Sequence, residues 1–325
     1  MNKRKILIIA AILVLITAIS GCGNNSKTKQ DTLNIAYQYG LAYAPVIICK
    51  EERLIEKAYK EATGREVEVI WTQMSSGADI NTGVASGSIN VGFMGIAPAI
   101  SGISKNVGYK IFTNLSGQEH GLMTSSSDIK SLGDIIGSDK QIALVNIGSI
   151  QHIMLAMALS DNGYDPHALD SNIVAMKHPD GMNALETGSI ALHLTSNPYI
   201  YLERSNEALT ELDEVKNSWS SENSFIVGVA SSSLYNDNPD LYKALLNAIN
   251  EAIDRLNTDP EGSAAITCQY DGNSKEEELN FLKAGSYKKE TTGILNLADF
   301  MYQNGFTDKQ LTDYHDLTFD NVTGD

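Results

Sequence analysis

Three tyrosines fall close together, Tyr37, Tyr39 and Tyr43, with Gly40 among them. A phenol ring offers a ligand both an apolar face and a hydroxyl. Tyr37 continues the alternation of the residues before it and reads equally well as packing at a strand end. Tyr39 and Tyr43 follow the strand and are the stronger ligand contacts, with Gly40 between them. Ser76-Gly77, Gly95-Ile96 and Gly148-Ser149 each open a helical stretch. Unpaired N–H groups and the positive end of the helix dipole there suit a carboxylate, a sulfonate or another anion. Simple capping explains each serine equally well. A third set, Gln118, Glu119, His120, Gln151, His152 and Asn197, with Tyr199 beside it, supplies amides, an acid and imidazoles. Such groups can bracket a neutral or cationic nitrogen compound. Glu119 reads equally as a solvated charge.

The same residues exclude several chemistries. No Lys or Arg lies in the tyrosine loop or in the three Ser/Gly loops, so a doubly charged oxyanion would rest on backbone dipoles without a bidentate fork. His120, His152, His178 and His193 show no His-x-x-x-His spacing, and zinc wants three or four convergent ligands, so neither a metal nor another cofactor is expected. Nucleophile elbow, phosphate loop, redox cysteine pair and zincin motif are all missing, which argues for a binding protein and against an enzyme.

The elements that must position these residues alternate along the chain. Leu33 to Tyr37 has a strand's period of two, and Pro45 suits the first turn of the next helix. Val46 to Ala62 reads as one helix stopped at Gly64. Glu66 to Thr72 is a strand, Ser76 and Asp79 are spaced as a capping box for a helix ending near Gly87, and Val91 to Met94 is a third strand. This series predicts an α/β layer with a parallel sheet, in which ligands sit at the carboxyl ends of the strands. A second series repeats the plan: strand Gln141 to Val145, helix Ile150 to Leu159, strand Asn172 to Met176, helix Gly181 to Thr187 and strand Ile190 to Leu194. Phe225 to Ala230 is one more strand. The chain after Pro239 is mostly helical, with Leu241, Leu245, Ile249, Ala252 and Leu256 on one apolar face.

The amino terminus sets the compartment. Lys3, Arg4 and Lys5 precede an apolar run from Ile6 to Ile19, too short for a comfortable span and placed as an export signal is. Ile19-Ser20-Gly21-Cys22 resembles a bacterial lipobox, which implies cleavage after residue 21 and a diacylated Cys22, two chains that give stable anchoring. Residues 22–31 are small and polar and read as a tether. Removing residues 1–21 takes the formal charge from −16 to −19, since three cations go with them. That charge repels phosphate backbones and anionic bilayers, so nucleic acid is excluded as a partner. The remaining thiols, Cys49 and Cys268, are too few and too far apart for a disulfide framework and read as buried free thiols, with a pairing between them left open outside the cytoplasm. At 325 residues, 42% hydrophobic, the chain is long enough for about two packed units.

In order along the chain, Leu33-Asn34-Ile35-Ala36-Tyr37 with Ala42-Tyr43-Ala44-Pro45, then Ser76-Gly77-Ala78-Asp79, then Ala85 to Gly95, and late Asn238-Pro239-Asp240-Leu241 to Asn257-Thr258-Asp259-Pro260-Glu261, carry a family likeness. The chain resembles the solute-binding lipoproteins of ABC importers in the nitrate, sulfonate and taurine group. The resemblance implies a type 2 periplasmic binding fold, an α/β protein of two lobes with the ligand between them. Lobe 1 would be residues 32–120 plus 225–325 and lobe 2 residues 121–224, with crossovers near Ser116 to Met123 and Ser224 to Val229. It also implies a monomer on the outer face of the cytoplasmic membrane that hands a small solute to a permease and its ATPase. Sulfonate- or taurine-like solutes and thiamine-precursor pyrimidines are both open, as are a sensor subunit docking to a receptor and a pyrimidine-synthase-like enzyme on the same fold. Asn197 stands where the group often has an acid before Pro, which removes one charge from the pocket.

Overall fold

The structure is a computed structural model that describes residues 31–325. The expected signal at 1–21, the lipidated Cys22 and the tether up to residue 30 lie outside the described residues. Asp31, expected in the tether, is the first residue of a strand. Among the described residues no helix is long and apolar enough to cross a membrane.

Among the described residues ten strands form two five-stranded sheets. The first holds β1 (Asp31–Tyr37), β2 (Val67–Gln73), β3 (Val91–Gly95), β4 (Tyr109–Ser116) and β10 (Ile226–Ser231), in the order β2-β1-β3-β10-β4. The second holds β5 (His120–Thr124), β6 (Ile142–Leu144), β7 (Ile173–Ala175), β8 (Leu192–Ser196) and β9 (Thr210–Leu212), in the order β7-β6-β8-β5-β9. The chain passes between the sheets twice, from β4 to β5 through residues 117–119 and from β9 to β10 through residues 213–225.

Helices fill the other positions. They are α1 (Ala44–Glu51), α2 (Leu54–Thr63), α3 (Gly77–Ala85), α4 (Ile96–Ser104), α5 (Ile150–Asp161), α6 (His178–Glu186), α7 (Tyr199–Arg204), α8 (Asp213–Lys216), α9 (Ser232–Asp237), α10 (Pro239–Thr258), α11 (Pro260–Asp271), α12 (Lys275–Ala284), α13 (Ile294–Gln303) and α14 (Tyr314–Leu317). Pro45 sits in the first turn of α1, where its missing N–H costs nothing. Ser76 caps α3 by accepting the Asp79 N–H, and the Asp79 carboxylate answers through the Ser76 hydroxyl at 2.8 Å.

Three expectations from the sequence are corrected. The single helix from Val46 to Ala62 is two, because Arg53 turns into the left-handed region at φ 53° and breaks the ladder. The sheets are mixed: β1 pairs parallel with β3, but β10 runs antiparallel to β3 and β4, and β5 runs antiparallel to β8 and β9. The helix expected from Gly181 begins three residues earlier, at His178, with Pro179 in its first turn.

The first sheet is buried in one large apolar cluster that includes Phe93, Phe112, Ile100 and the inner face of α10. The second sheet has a smaller cluster on each face, one around Leu144, Leu155 and Leu194 and one around Met123, Leu185 and Ile200. Cys49 is buried, Cys268 half-buried, and both are free thiols.

Candidate functional site: a cleft between two sheets

The carboxyl ends of strands from both sheets open on one cleft of about 700 Å³, part of it open to solvent. From the first sheet come Gln38, Tyr39, Gly40 and Tyr43 after β1, Ser75 and Gly77 before and at the start of α3, and Gly95 and Pro98 where β3 runs into α4. From the second come Asn146, Ser149 and Gln151 around the start of α5, Lys177, His178 and Pro179 at the start of α6, and Ser196, Asn197 and Tyr199 between β8 and α7. The walls meet at Gly95, where a Cβ would lie 3.2 Å from the Ile150 side chain, so the bare backbone allows the close approach.

The first wall is held by its own hydrogen bonds. The Tyr43 hydroxyl donates to Gln38 Oε1 at 3.0 Å, and Gln38 Nε2 donates to the Ser75 carbonyl at 3.4 Å. Burial pushes the Tyr43 phenol far above its ordinary pKa, so it stays neutral. Tyr39 is 45% exposed at the mouth, and Lys177 Nζ reaches across from the second wall to 5.0 Å from its ring centroid. A cation over an aromatic face is attractive and strengthens as water is excluded.

The second wall carries the titratable groups. Gln151 Nε2 lies 3.0 Å from His178 Nε2, and the His178 ring sits 5.7 Å from the Tyr199 ring. Burial, helped by the neighbouring His193, pushes the His178 pKa down, so its imidazole is neutral. Asn197, joined to Pro198 by a cis peptide, donates from Nδ2 to the Phe281 carbonyl of α12 at 2.8 Å. Its buried Oδ1 has no protein partner. Among the described residues Lys177 is the one charged side chain in the lining, which holds no Asp or Glu.

A sequence profile decides the family, since it matches residues 26–270, well over half of the chain. The chain belongs to the NMT1-like family. Among curated proteins nothing matches. Solved structures do. The alkanesulfonate-binding protein SsuA from Xanthomonas axonopodis pv. citri, bound to MOPS, superposes with a TM-score of 0.72 at 17% identity over 89% of this chain and 98% of that one. A Candida albicans gene product described as having the generic periplasmic binding protein fold gives 0.71 at 14% identity, over 90% and 97%. The periplasmic nitrate-binding protein NrtA from Synechocystis PCC 6803 gives 0.59 at 16% identity, over 77% and 69%. These likenesses establish that this NMT1-like chain has the periplasmic binding protein fold.

Of the residues singled out by sequence, Tyr39, Gly40, Tyr43, Gly77, Gly95, Ser149, Gln151, Asn197 and Tyr199 line the cleft. The others do not, each for a visible reason. Ser76 turns its oxygen to the α3 cap. Ile96 is fully buried and its N–H donates to the Phe225 carbonyl, so it is not a free anion donor. The Gly148 N–H donates to His152 Nδ1 at 3.0 Å. His120 is buried in β5 with Nε2 against the Val215 carbonyl, and burial lowers its pKa to about 4. Gln118 is buried in the first crossover, with no protein partner for either amide atom.

The amide, acid and imidazole bracket is therefore reduced to Gln151 and Asn197. Glu119 accepts from the Tyr201 hydroxyl at 2.5 Å and pairs with Arg204 at 3.0 Å, away from the lining. His152 spends Nε2 on Asp170 at 2.8 Å. The sequence does not point to Lys177 and His178 as cleft residues, because its pattern places the helix start at Gly181 and not at His178. Pro179, a first-turn residue by preference, was the signal that placed them at a helix start.

Proposed function

We propose that this chain is the extracytoplasmic solute-binding lipoprotein of an ABC importer, anchored through a diacylated Cys22. In this reading lobe 1 is residues 32–120 plus 225–325, lobe 2 is residues 121–224, and a monomer closes on a small organic solute and delivers it to a permease with its ATPase. Closure of two domains around a ligand is an established mode of motion for such proteins. One observation carries the reading: strand ends from two sheets converge on a single cleft with aromatic rings, amides and helix starts, and no constellation of nucleophile and base. The neighbours named for alkanesulfonate and nitrate binding agree with it.

The lining also narrows the solute. Lys177 together with the starts of α3, α5 and α6 favours an anionic group. With no carboxylate in the lining among the described residues, an organic cation would have aromatic faces but no ion-pair partner. Tyr39, Tyr43, Tyr199 and Phe225 favour an apolar or aromatic body. The solute class is thus a small organic anion such as a sulfonate or a carboxylate, ahead of a neutral pyrimidine.

Thermal denaturation with taurine, short alkanesulfonates, carboxylates, aminopyrimidines and divalent metal salts tests this. A solute present at 100 times its dissociation constant adds about 2.7 kcal/mol of stability. An organic anion is expected to raise the midpoint and to be recovered unchanged. A response to metal salts alone, or recovery of a chemically altered compound, would overturn the reading.

A further inference from the structure

Behind the second wall a file of hydrogen-bonding side chains runs from the cleft into the interior. Gln151 Nε2 and His178 Nε2 are 3.0 Å apart, His178 Nδ1 and His193 Nε2 are 3.1 Å apart, and His193 Nδ1 and Glu203 Oε1 are 2.5 Å apart. Gln151 and His178 line the cleft, whereas His193 and Glu203 are wholly inaccessible to solvent. The packing makes room for the file: at Gly181, in α6, a Cβ would stand 2.7 Å from His193 Nε2.

A neutral imidazole has one donor and one acceptor nitrogen, so fixing one end of such a file fixes every link. We propose that Gln151 and His178 are specificity-determining residues whose donor or acceptor character is set by one proton stored at Glu203, the positioning residue at the buried end. This rests on the solute-binding reading of the cleft and names how that site selects its ligand.

The proton count closes in both states. With Glu203 protonated, its O–H donates to His193 Nδ1, His193 Nε2–H donates to His178 Nδ1, and His178 Nε2–H donates to the Gln151 carbonyl oxygen. The Gln151 NH2 then faces the cleft and calls for an acceptor on the solute, such as a carboxylate or sulfonate oxygen. When one proton leaves from His178 Nε2 at the cleft end, the other two each shift one link outward. Both histidines become Nδ1–H, Glu203 becomes a carboxylate, and Gln151 turns over to donate to His178 and present its oxygen. Either edge of the amide fits the same site. Glu203 thus exchanges its proton through the cleft.

The surroundings of Glu203 favour the protonated state at neutral pH. In that state the Gln151 amide is turned over from the orientation described, Nε2 toward His178 Nε2, which belongs to the ionised state. Glu203 Oε1 has the single contact to His193, and the buried Oε2 has no protein partner. A buried carboxylate with so few donors is costly, whereas a carboxylic acid there is not. Burial and the nearby Glu186 of α6 both raise its pKa. The cations that could oppose this are occupied elsewhere. Arg204, next in α7, forks onto Glu211 at 2.7 and 2.8 Å and reaches Glu119. Lys177 is at the cleft mouth, and His120 of β5 faces the Val215 carbonyl.

The test is 15N NMR of the imidazoles in the full chain, labelled at histidine, from pH 5 to 10, with no solute needed. His178 and His193 are expected to be neutral Nε2–H tautomers at pH 6 and to convert together to Nδ1–H as Glu203 ionises. In Glu203→Gln the amide NH2 donates to His193 Nδ1 at every pH, so both rings should stay Nε2–H throughout. Protonation of either ring near pH 6.5, tautomers that move independently, or no change up to pH 10 in the unmodified chain would overturn the proposal. The unmodified chain decides the matter even if the variant does not fold. A chain that binds an organic anion but has unlinked tautomers sinks only this inference. Linked tautomers in a chain that binds no solute would sink only the solute-binding reading.

Discussion

The two walls of the cleft are built from different materials. The first presents two tyrosines, three glycines, Ser75, Pro98 and the single amide of Gln38 on a sheet buried in one continuous apolar cluster. The second presents three amides, a lysine and a histidine, with Tyr199, two serines and a proline, on a sheet with two smaller apolar clusters. All three deeply buried histidines, His120, His152 and His193, belong to the second half. The contrast suggests a division of labour: the first wall supplies stability and a surface for an apolar body, and the second supplies polarity and orientation at some cost in stability, since each buried polar group must be matched.

The largest effect should come from the apolar half. Phe112 is fully buried and packs edge-on against Phe93, with centroids 5.8 Å apart, and against Tyr242 at 6.2 Å. Phe112→Ala removes that ring from a cluster with little room to collapse and should cost about 3–5 kcal/mol. Urea unfolding would measure it. Affinity for a cleft solute should be unchanged in the fraction that remains folded, and a loss of affinity would break the division of labour.

The next effect is a pH dependence located in the second half. His120, His178 and His193 are held neutral by burial, with pKa values below the ordinary one. The unfolded chain therefore takes up protons near pH 6.5 that the folded chain refuses, and stability falls as pH drops below that value. Glu203 acts in the opposite sense. Its pKa is raised, so the folded chain keeps a proton that the unfolded chain gives up above about pH 4.5, and stability falls as pH rises. Three groups against one leave a net loss on the order of 2–3 kcal/mol between pH 6.5 and 5, with a shallow decline on the alkaline side. Chemical denaturation across pH 4.5–9 would show a maximum near pH 6.5. Glu203→Gln should abolish the alkaline decline and steepen the acid one, because the three histidines then lose their opposing group.

Much of the first wall is legible in the sequence, and less of the second, for a physical reason. Strand alternation and the runs at Tyr39 to Tyr43, Ser76-Gly77 and Gly95 are local signals, and they fall at strand ends by backbone geometry alone. What went wrong depends on distant partners. Glu119 reads as a free charge until Arg204 arrives from another helix to hold it. His152 reads as a pocket imidazole until Asp170 claims its Nε2. The break at Arg53 has no local mark, because a left-handed arginine leaves the apolar spacing on either side intact. Strands β4 and β5 leave no period-two mark in the sequence, since their buried residues run on nearly without alternation, as in strands covered on both faces. The file from His178 to Glu203 draws on three elements, and no spacing rule joins them.

A smaller effect is expected at the mouth, where the walls touch through charge. Lys177→Met keeps the length of the side chain and removes the cation over Tyr39. For an anionic solute the affinity should fall roughly tenfold, about 1.4 kcal/mol, read by titration calorimetry. Stability should barely change, because Lys177 is exposed. An unaltered affinity for the anion would move the charge recognition from Lys177 to the helix starts and weaken the assignment of polarity to the second wall.

The smallest difference is also the sharpest, because it sets one residue type in one role on each wall. Ser76 caps α3 and Ser149 caps α5, each accepting a backbone N–H from three residues on. Ser76→Ala and Ser149→Ala should each cost about 1 kcal/mol in unfolding experiments, as the loss of an N-cap does. Their effects on binding should differ. Ser149 is part of the cleft lining and Ser76 is not, since the Asp79 carboxylate occupies its hydroxyl. Only Ser149→Ala should weaken solute binding beyond what the shared loss of stability explains. Equal losses of affinity would mean that both helix starts respond to the solute through their capped backbone, and the first wall would then be a polar partner and not merely an apolar surface.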